Sequence, residues 1–392
     1  MKEKRPFLPL ILITFANITL LGFLTSMRGV SFPLIRNSFN ASYETMGLMN
    51  GLIYLAAVCS CIIAGIYMNR FGLKKAVLSA FLLVVLGAGS IYFATGFWMA
   101  AGFYLILQSG FVFFEISING VGVKVFTVKP GLMMNLLHFF FGVGAIVGPR
   151  FMGLMVNRVE MSWREVYPLS LVVVIILLVM SLLVRFPARE EATDTQNRPS
   201  FWTAMKEPMV WFLGIALGIA CGIEGFTVGW SGLYLQDVHG LEPSTTGAAF
   251  VSAFFFMFTI SRLVSGFAIE KIGYIKSVLV SSLAIAIIFV AAFSLGRRGI
   301  FLLPVTGFFV AIMWPTIMAI GAGIFKERAQ TAISAIIAIT FTLNGLIQYG
   351  VGLTNSLLGA AWGYRSCLIY SIILGVMFLI LARKNKVQKW CS

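Results

Sequence analysis

Two glutamates stand in stretches that otherwise carry no charge. Glu115 lies within "FFEISING" and Glu224 within "CGIEGFTVGW". The other twelve of the 14 acids fall in polar stretches or at the ends of apolar runs. An ionised side chain inside a bilayer costs roughly 3 kcal/mol or more, so an acid placed there marks a substrate or proton route by default. Dehydration favours the protonated form of a carboxyl group and hydration the ionised form. A glutamate alternately wetted and dried is therefore a proton carrier, and Glu115 and Glu224 are the two candidates.

Other polar side chains have the spacing to join them. Asn119 follows Glu115 by four residues and shares its helical face. Asn135 and His138 lie about one turn apart in "NLLHFFFGVGAIVGP". Trp230 follows Glu224, Trp314 precedes Pro315 in "AIMWPTIMAIG", and Asn344 and Gln348 share "TLNGLIQYG". Amides hydrogen-bond hydroxyls and indole faces stack on sugar rings. These eight residues, Glu115, Asn119, Asn135, His138, Trp230, Trp314, Asn344 and Gln348, are the expected substrate ligands, and Pro315 is expected to break its helix. The plainer alternative makes the glutamates and His138 interhelical hydrogen-bonding glue and puts Trp230 in an interfacial aromatic belt. Gly142, Gly144 and Gly148 have the spacing of close helix packing.

The elements that must hold these residues follow from composition. The chain of 392 residues is 59% hydrophobic and 11% charged, against roughly 25% charged in soluble domains. Twelve apolar segments are long enough to cross a bilayer as helices: 8–34, 45–68, 76–95, 97–123, 131–156, 165–185, 208–236, 245–269, 277–295, 300–325, 330–356 and 363–382. The expected fold is all-α, with a six-helix bundle over 1–185, a cytoplasmic linker over 186–207 and a second six-helix bundle over 208–392. The first segment runs too long for a secretory signal and reads as a span.

The net charge of +15 does not point to nucleic acid, because the basic residues sit in short loops between spans. With the N-terminus inside, twenty of the 29 Lys and Arg fall on the cytoplasmic side, six outside and three (Arg28, Arg150 and Arg262) within spans. That bias places both termini in the cytoplasm. The five cysteines read as free thiols, and no cofactor or metal site is expected.

Two loops repeat. "GIYMNRFGLKK" (65–75) and "GFAIEKIGYIK" (266–276) align Gly65, Asn69, Arg70 and Gly72 with Gly266, Glu270, Lys271 and Gly273 at an offset of 201, which also pairs Gly120 and Gly122 with Gly321 and Gly323. A repeat at half the chain length means two similar halves. At this level the chain resembles the major facilitator superfamily, whose signature between helices 2 and 3 is G-x-x-x-D-R-x-G-[RK]-[RK], with Asn69 here in the aspartate position. The resemblance implies a cytoplasmic gate at Asn69, Arg70, Glu270 and Lys271. Arg262, two turns above Glu270, is assigned to the same gate.

"FEISING", "NLLHFFFGVGAIVGP", "GIEGFTVGWSGLY" and "AIMWPTIMAIG" together resemble the fucose–galactose–glucose proton symporters. That resemblance implies sugar binding and proton coupling at Glu115 and sugar binding at Asn135. Some members carry an aspartate near the outer end of helix 1, where this chain has Arg28. The expectation is a secondary active transporter working by alternating access. It is a monomer in the cytoplasmic membrane, takes up a sugar or similar polar molecule, and is driven by H+ or, in its place, Na+. The same fold also supports drug or metabolite efflux. An intramembrane enzyme would need clustered metal ligands or a nucleophile beside a base, and the chain has two histidines. A non-transporting sensor would carry an output domain, for which no polar stretch is long enough.

Overall fold

The computed structural model describes residues 7–187 and 201–383, so most of the expected 186–207 linker lies outside the described residues. Among them, twelve helical segments are long and apolar enough to cross a membrane, and the architecture is all-α. The chain divides into two compact units, one of 1–40 with 56–193 and one of 41–55 with 194–392.

The first unit contains α1 (Leu8–Ser26), α2 (Arg28–Phe39), the later part of α3 (Tyr43–Phe71), α4 (Leu73–Ile91), α5 (Phe97–Val125), α6 (Pro130–Asn157) and α7 (Trp163–Leu183). α1 packs along α6 and α4 along α5. Glycine makes the first pairing possible. A methyl carbon at Gly22 would overlap the Phe141 carbonyl, one at Gly144 the Thr19 carbonyl, and one at Gly148 the Phe23 carbonyl. The predicted packing role of Gly144 and Gly148 thus has a backbone partner at each position. α7 opens with a capping box, Ser162 N–H donating to Glu165 Oε2 at 2.8 Å. Val172, Val173, Ile175, Ile176 and Val179 on α7 are exposed, as a lipid-facing stripe must be.

The second unit contains the first part of α3, α8 (Phe201–Ala204), α9 (Pro208–Gly229), α10 (Ser231–His239), α11 (Ala248–Ile272), α12 (Tyr274–Ser294), α13 (Thr306–Phe325), α14 (Ala329–Leu358), α15 (Ala360–Arg365) and α16 (Cys367–Arg383). α9 and α14 lie along one another in a regular register. Gly214 faces Ile339, Gly218 faces Leu343 and Gly222 faces Ile347. Small residues one turn apart on α9 accept large ones one turn apart on α14, which is how membrane helices approach closely without a hydrophobic driving force between them.

Two expectations about continuity need correction. The first, seventh and twelfth spans are broken, at Met27 between α1 and α2, at Trp230 between α9 and α10 and at Ser366 between α15 and α16. Pro315, expected to break its helix, sits inside a continuous α13. A proline in a helix interior removes one N–H, and a membrane helix flanked by others tolerates that loss without separating into two pieces.

Candidate functional site

In the first unit the open face of α5 carries Glu115. Phe113, Phe114, Ser117 and Ile118 around it are buried, whereas Glu115 is exposed despite its mid-helix position. It lies within electrostatic reach of Cys61 on α3. Asn119, one turn along, is half-buried, and its Oδ1 is buried without a hydrogen-bond partner. Lower on the same helix Gly122 leaves room for Met134 of α6: a methyl at Gly122 would stand 3.1 Å from its sulfur. That contact brings the start of α6 beside α5. Asn135 follows Met134 and is exposed, and His138 is half-buried.

The second unit joins three predicted residues directly. The Trp230 indole N–H donates to Gln348 Oε1 at 2.7 Å, and Gln348 Nε2 donates to Asn344 Oδ1 at 3.3 Å. All three are buried, so Trp230 is no part of an interfacial belt. Trp230, at the break between α9 and α10, thus meets α14 through its indole N–H. Gly225 then decides how close Gln348 comes, because a methyl there would collide with the amide nitrogen. Glu224, beside Gly225, is half-buried. Trp314 on α13 is half-buried too, with its ring 6.3 Å from that of Phe341, which lies about one turn before Asn344.

The repeated loops share one backbone. Gly72 and Gly273 are the N-caps of α4 and α12, with φ of 83° and 87°, a left-handed conformation that glycine adopts without strain. Asn69, Arg70, Glu270 and Lys271 are exposed. The Arg70 guanidinium lies 5.3 Å from the Phe71 ring centre, and that of the half-buried Arg262 lies 4.9 Å from the Phe258 ring. The helix-end bond in the first loop comes from Lys74, whose ammonium donates to the Leu182 carbonyl at 2.9 Å and caps the C-terminus of α7.

A buried hydroxyl cluster escaped the sequence reading. Ser31 Oγ lies 2.9 Å from both the Tyr104 and Tyr167 hydroxyls, and Tyr104 donates to Tyr167 at 2.7 Å. Arg28 lies within electrostatic reach of both phenols. Three helices supply these residues, and their mutual spacing carries no signal along the chain.

The Major Facilitator Superfamily model matches residues 14–348. The chain belongs to the Major Facilitator Superfamily. It is a multi-pass membrane transporter and not an enzyme. It is similar to the L-fucose-proton symporter of Escherichia coli, at 23% identity covering 89% of this chain and 88% of that one. It is also similar to a putative glucose/galactose transporter of Helicobacter pylori, at 22% identity covering 88% and 90%. Among solved structures, the nucleoside transporter NupG superposes with a TM-score of 0.74 at 14% identity, covering 95% of this chain and 99% of that one. That last likeness shows the fold alone.

Proposed function

We propose that this transporter takes up a sugar or similar polar small molecule by proton symport, through alternating access. The observation that carries the reading is the open face of α5. A carboxylate stands exposed in the middle of a membrane helix, and one turn away a buried amide oxygen has no donor. A hydroxyl-bearing substrate supplies donors for both. A protonated carboxyl both donates to and accepts from hydroxyls, and drying of the site favours that form, so substrate and proton are held together at Glu115, as symport requires. Glu224 is the corresponding acid of the second unit. Trp230, Trp314, Asn344 and Gln348 there, with Asn135 and His138 in the first, complete the proposed ligand set. The similarity to sugar transporters supports the substrate class, and the proton symport of the fucose relative supports H+ as the coupling ion.

Asn69, Arg70, Arg262, Glu270 and Lys271 are the proposed gate, because the two loops present the same left-handed glycine turn at the ends of α3 and α11. The chain resides in the plasma membrane with both termini cytoplasmic on this reading.

Glu115→Gln in proteoliposomes tests the proposal. The amide retains shape and hydrogen bonding but cannot titrate. Accumulation driven by a pH gradient is expected to disappear while counterflow exchange persists. Normal uphill accumulation by the variant removes Glu115 from coupling.

A further inference from the structure

A side chain that no motif singled out reaches the same group of residues. The first part of α3 belongs to the second unit and is held against α14 by glycines on both helices. A methyl at Gly51 would lie 3.2 Å from the Gly345 carbonyl oxygen, one at Gly345 would lie 3.2 Å from the Gly51 carbonyl oxygen, and one at Gly47 would press on the Gly352 backbone at 2.8 Å. This close seam fixes the height and rotation of the residue one turn further along, Tyr54.

The ring of Tyr54 starts over Gly345, with its Cβ 3.3 Å from where a methyl on that glycine would be. Its hydroxyl ends against α9, 3.2 Å from the point a methyl on Gly225 would occupy. The Gln348 amide nitrogen crowds that same point. Tyr54 is half-buried, so the ring is clamped while part of the side chain remains accessible. Gly225 is thus the place where a phenol hydroxyl from α3 and an amide from α14 converge, next to the carboxyl-bearing Glu224.

We infer that Tyr54 is a further substrate-binding residue, which with Gln348 and Glu224 forms a subsite for one hydroxyl of a sugar ring. This rests on the sugar reading proposed above. A sugar hydroxyl both donates and accepts. Gln348 Nε2 carries two hydrogens, of which Asn344 Oδ1 takes one. The phenol donates and accepts, and a carboxylate accepts. The three groups match the two faces of a hydroxyl, and a sugar lacking that hydroxyl forfeits those contacts. The absence of a side chain at Gly225 is what lets both groups approach the same point.

The test is binding of radiolabelled L-fucose, D-galactose and D-glucose, and of monodeoxy derivatives of whichever binds best, to purified protein. Tyr54→Phe removes one oxygen and keeps the ring seated on Gly345. It is expected to weaken the best sugar by about five- to tenfold and to leave unchanged the one monodeoxy derivative that lacks the contacted hydroxyl. Gly225→Ala is expected to weaken the same sugar from the other side, by displacing the Gln348 amide, and it decides the matter if Tyr54→Phe does not fold. Wild-type binding with both variants indistinguishable from it overturns this inference and leaves the sugar reading standing. Equal weakening of every sugar and deoxy sugar also overturns it, because that pattern belongs to a packing defect. Absence of binding of all three sugars to the wild type overturns the sugar reading and this inference with it.

Discussion

Replacing Gln348 by methionine removes both amide functions while keeping side-chain length and apolar bulk. In the native chain that amide accepts the Trp230 indole N–H at 2.7 Å and donates to Asn344 Oδ1 at 3.3 Å, among side chains that are each 1% exposed. The variant leaves a buried donor and a buried acceptor unmatched. Each orphan costs about 1–3 kcal/mol, and side-chain hydrogen bonds between membrane helices average nearer 0.6 kcal/mol. The short indole bond belongs toward the upper range and the longer one toward the lower, which gives about 2–3 kcal/mol in all. Trp230→Phe removes the donor and leaves a small void. If the bond is what matters, the two substitutions are not additive: the double variant costs about 1–2 kcal/mol less than the two single costs combined. Equilibrium unfolding of purified protein in mixed micelles measures all three variants against the wild type. Additivity within about 0.5 kcal/mol refutes the argument that Trp230, Gln348 and Asn344 act as one hydrogen-bonded group.

Three further outcomes are expected. Gly144→Ala drives a methyl into the Thr19 carbonyl and should destabilise the α1–α6 pair by about 1–3 kcal/mol, whereas Gly102→Ala on α5, with open space around it, should be near neutral in the same thermal unfolding assay. Arg70→Ala should slow exchange and leave substrate affinity near normal, since the residue is proposed to shape a gate; a tenfold loss of affinity, about 1.4 kcal/mol, with an unchanged rate would contradict that role. In a cysteine-free background, cysteines at Asn197 and Ser392 should resist an impermeant maleimide added outside intact cells and one at His239 should react; labelling at Asn197 reverses the assigned orientation.

Hydropathy located the spans to within a few residues, as 97–123 against Phe97–Val125 and 131–156 against Pro130–Asn157 show. Apolar length is a property of each segment alone, so it is legible without neighbours. Breaks in helices are not. Met27 carries no signature of a helix end, while Pro315, which does, lies in an unbroken helix. The same division runs through the candidate residues. Trp230, Asn344 and Gln348 stood out as polar or aromatic groups in apolar runs, but nothing in the sequence joins residues 118 positions apart into one hydrogen bond. Tyr54, Tyr104 and Tyr167 did not stand out, because a single tyrosine in a membrane helix is ordinary until another helix supplies its partner. The glycines on α9, one turn apart from Gly214 to Gly222, were a usable sign of close approach to α14.

The repeat goes deeper than the two loops that announced it. The first and seventh spans each break, at Met27 and at Trp230, and a buried tyrosine near the start of the sixth or the twelfth span packs close to each break. In the first unit Tyr167 closes a hydroxyl cluster with Ser31 and Tyr104. In the second, Tyr364 stacks on Tyr234 with ring centres 4.2 Å apart and donates to the Thr227 carbonyl at 3.4 Å. The backbone device is shared and the chemistry holding it is not. A buried hydroxyl cluster depends on each member keeping its partner, whereas a ring stack tolerates loss of either hydroxyl. The proposed ligands show the same asymmetry. Glu115 stands exposed on α5 beside an unpaired amide oxygen, and Glu224 is half-buried on α9 beside an amide already engaged by Trp230 and Asn344. A glutamate in open surroundings can be reached by water and by a ligand. One packed against a hydrogen-bonded amide is constrained in where a substrate can stand. These surroundings support the proposal that Glu115 carries the coupling proton with Glu224 as its counterpart, and that the group around Glu224 also selects the substrate.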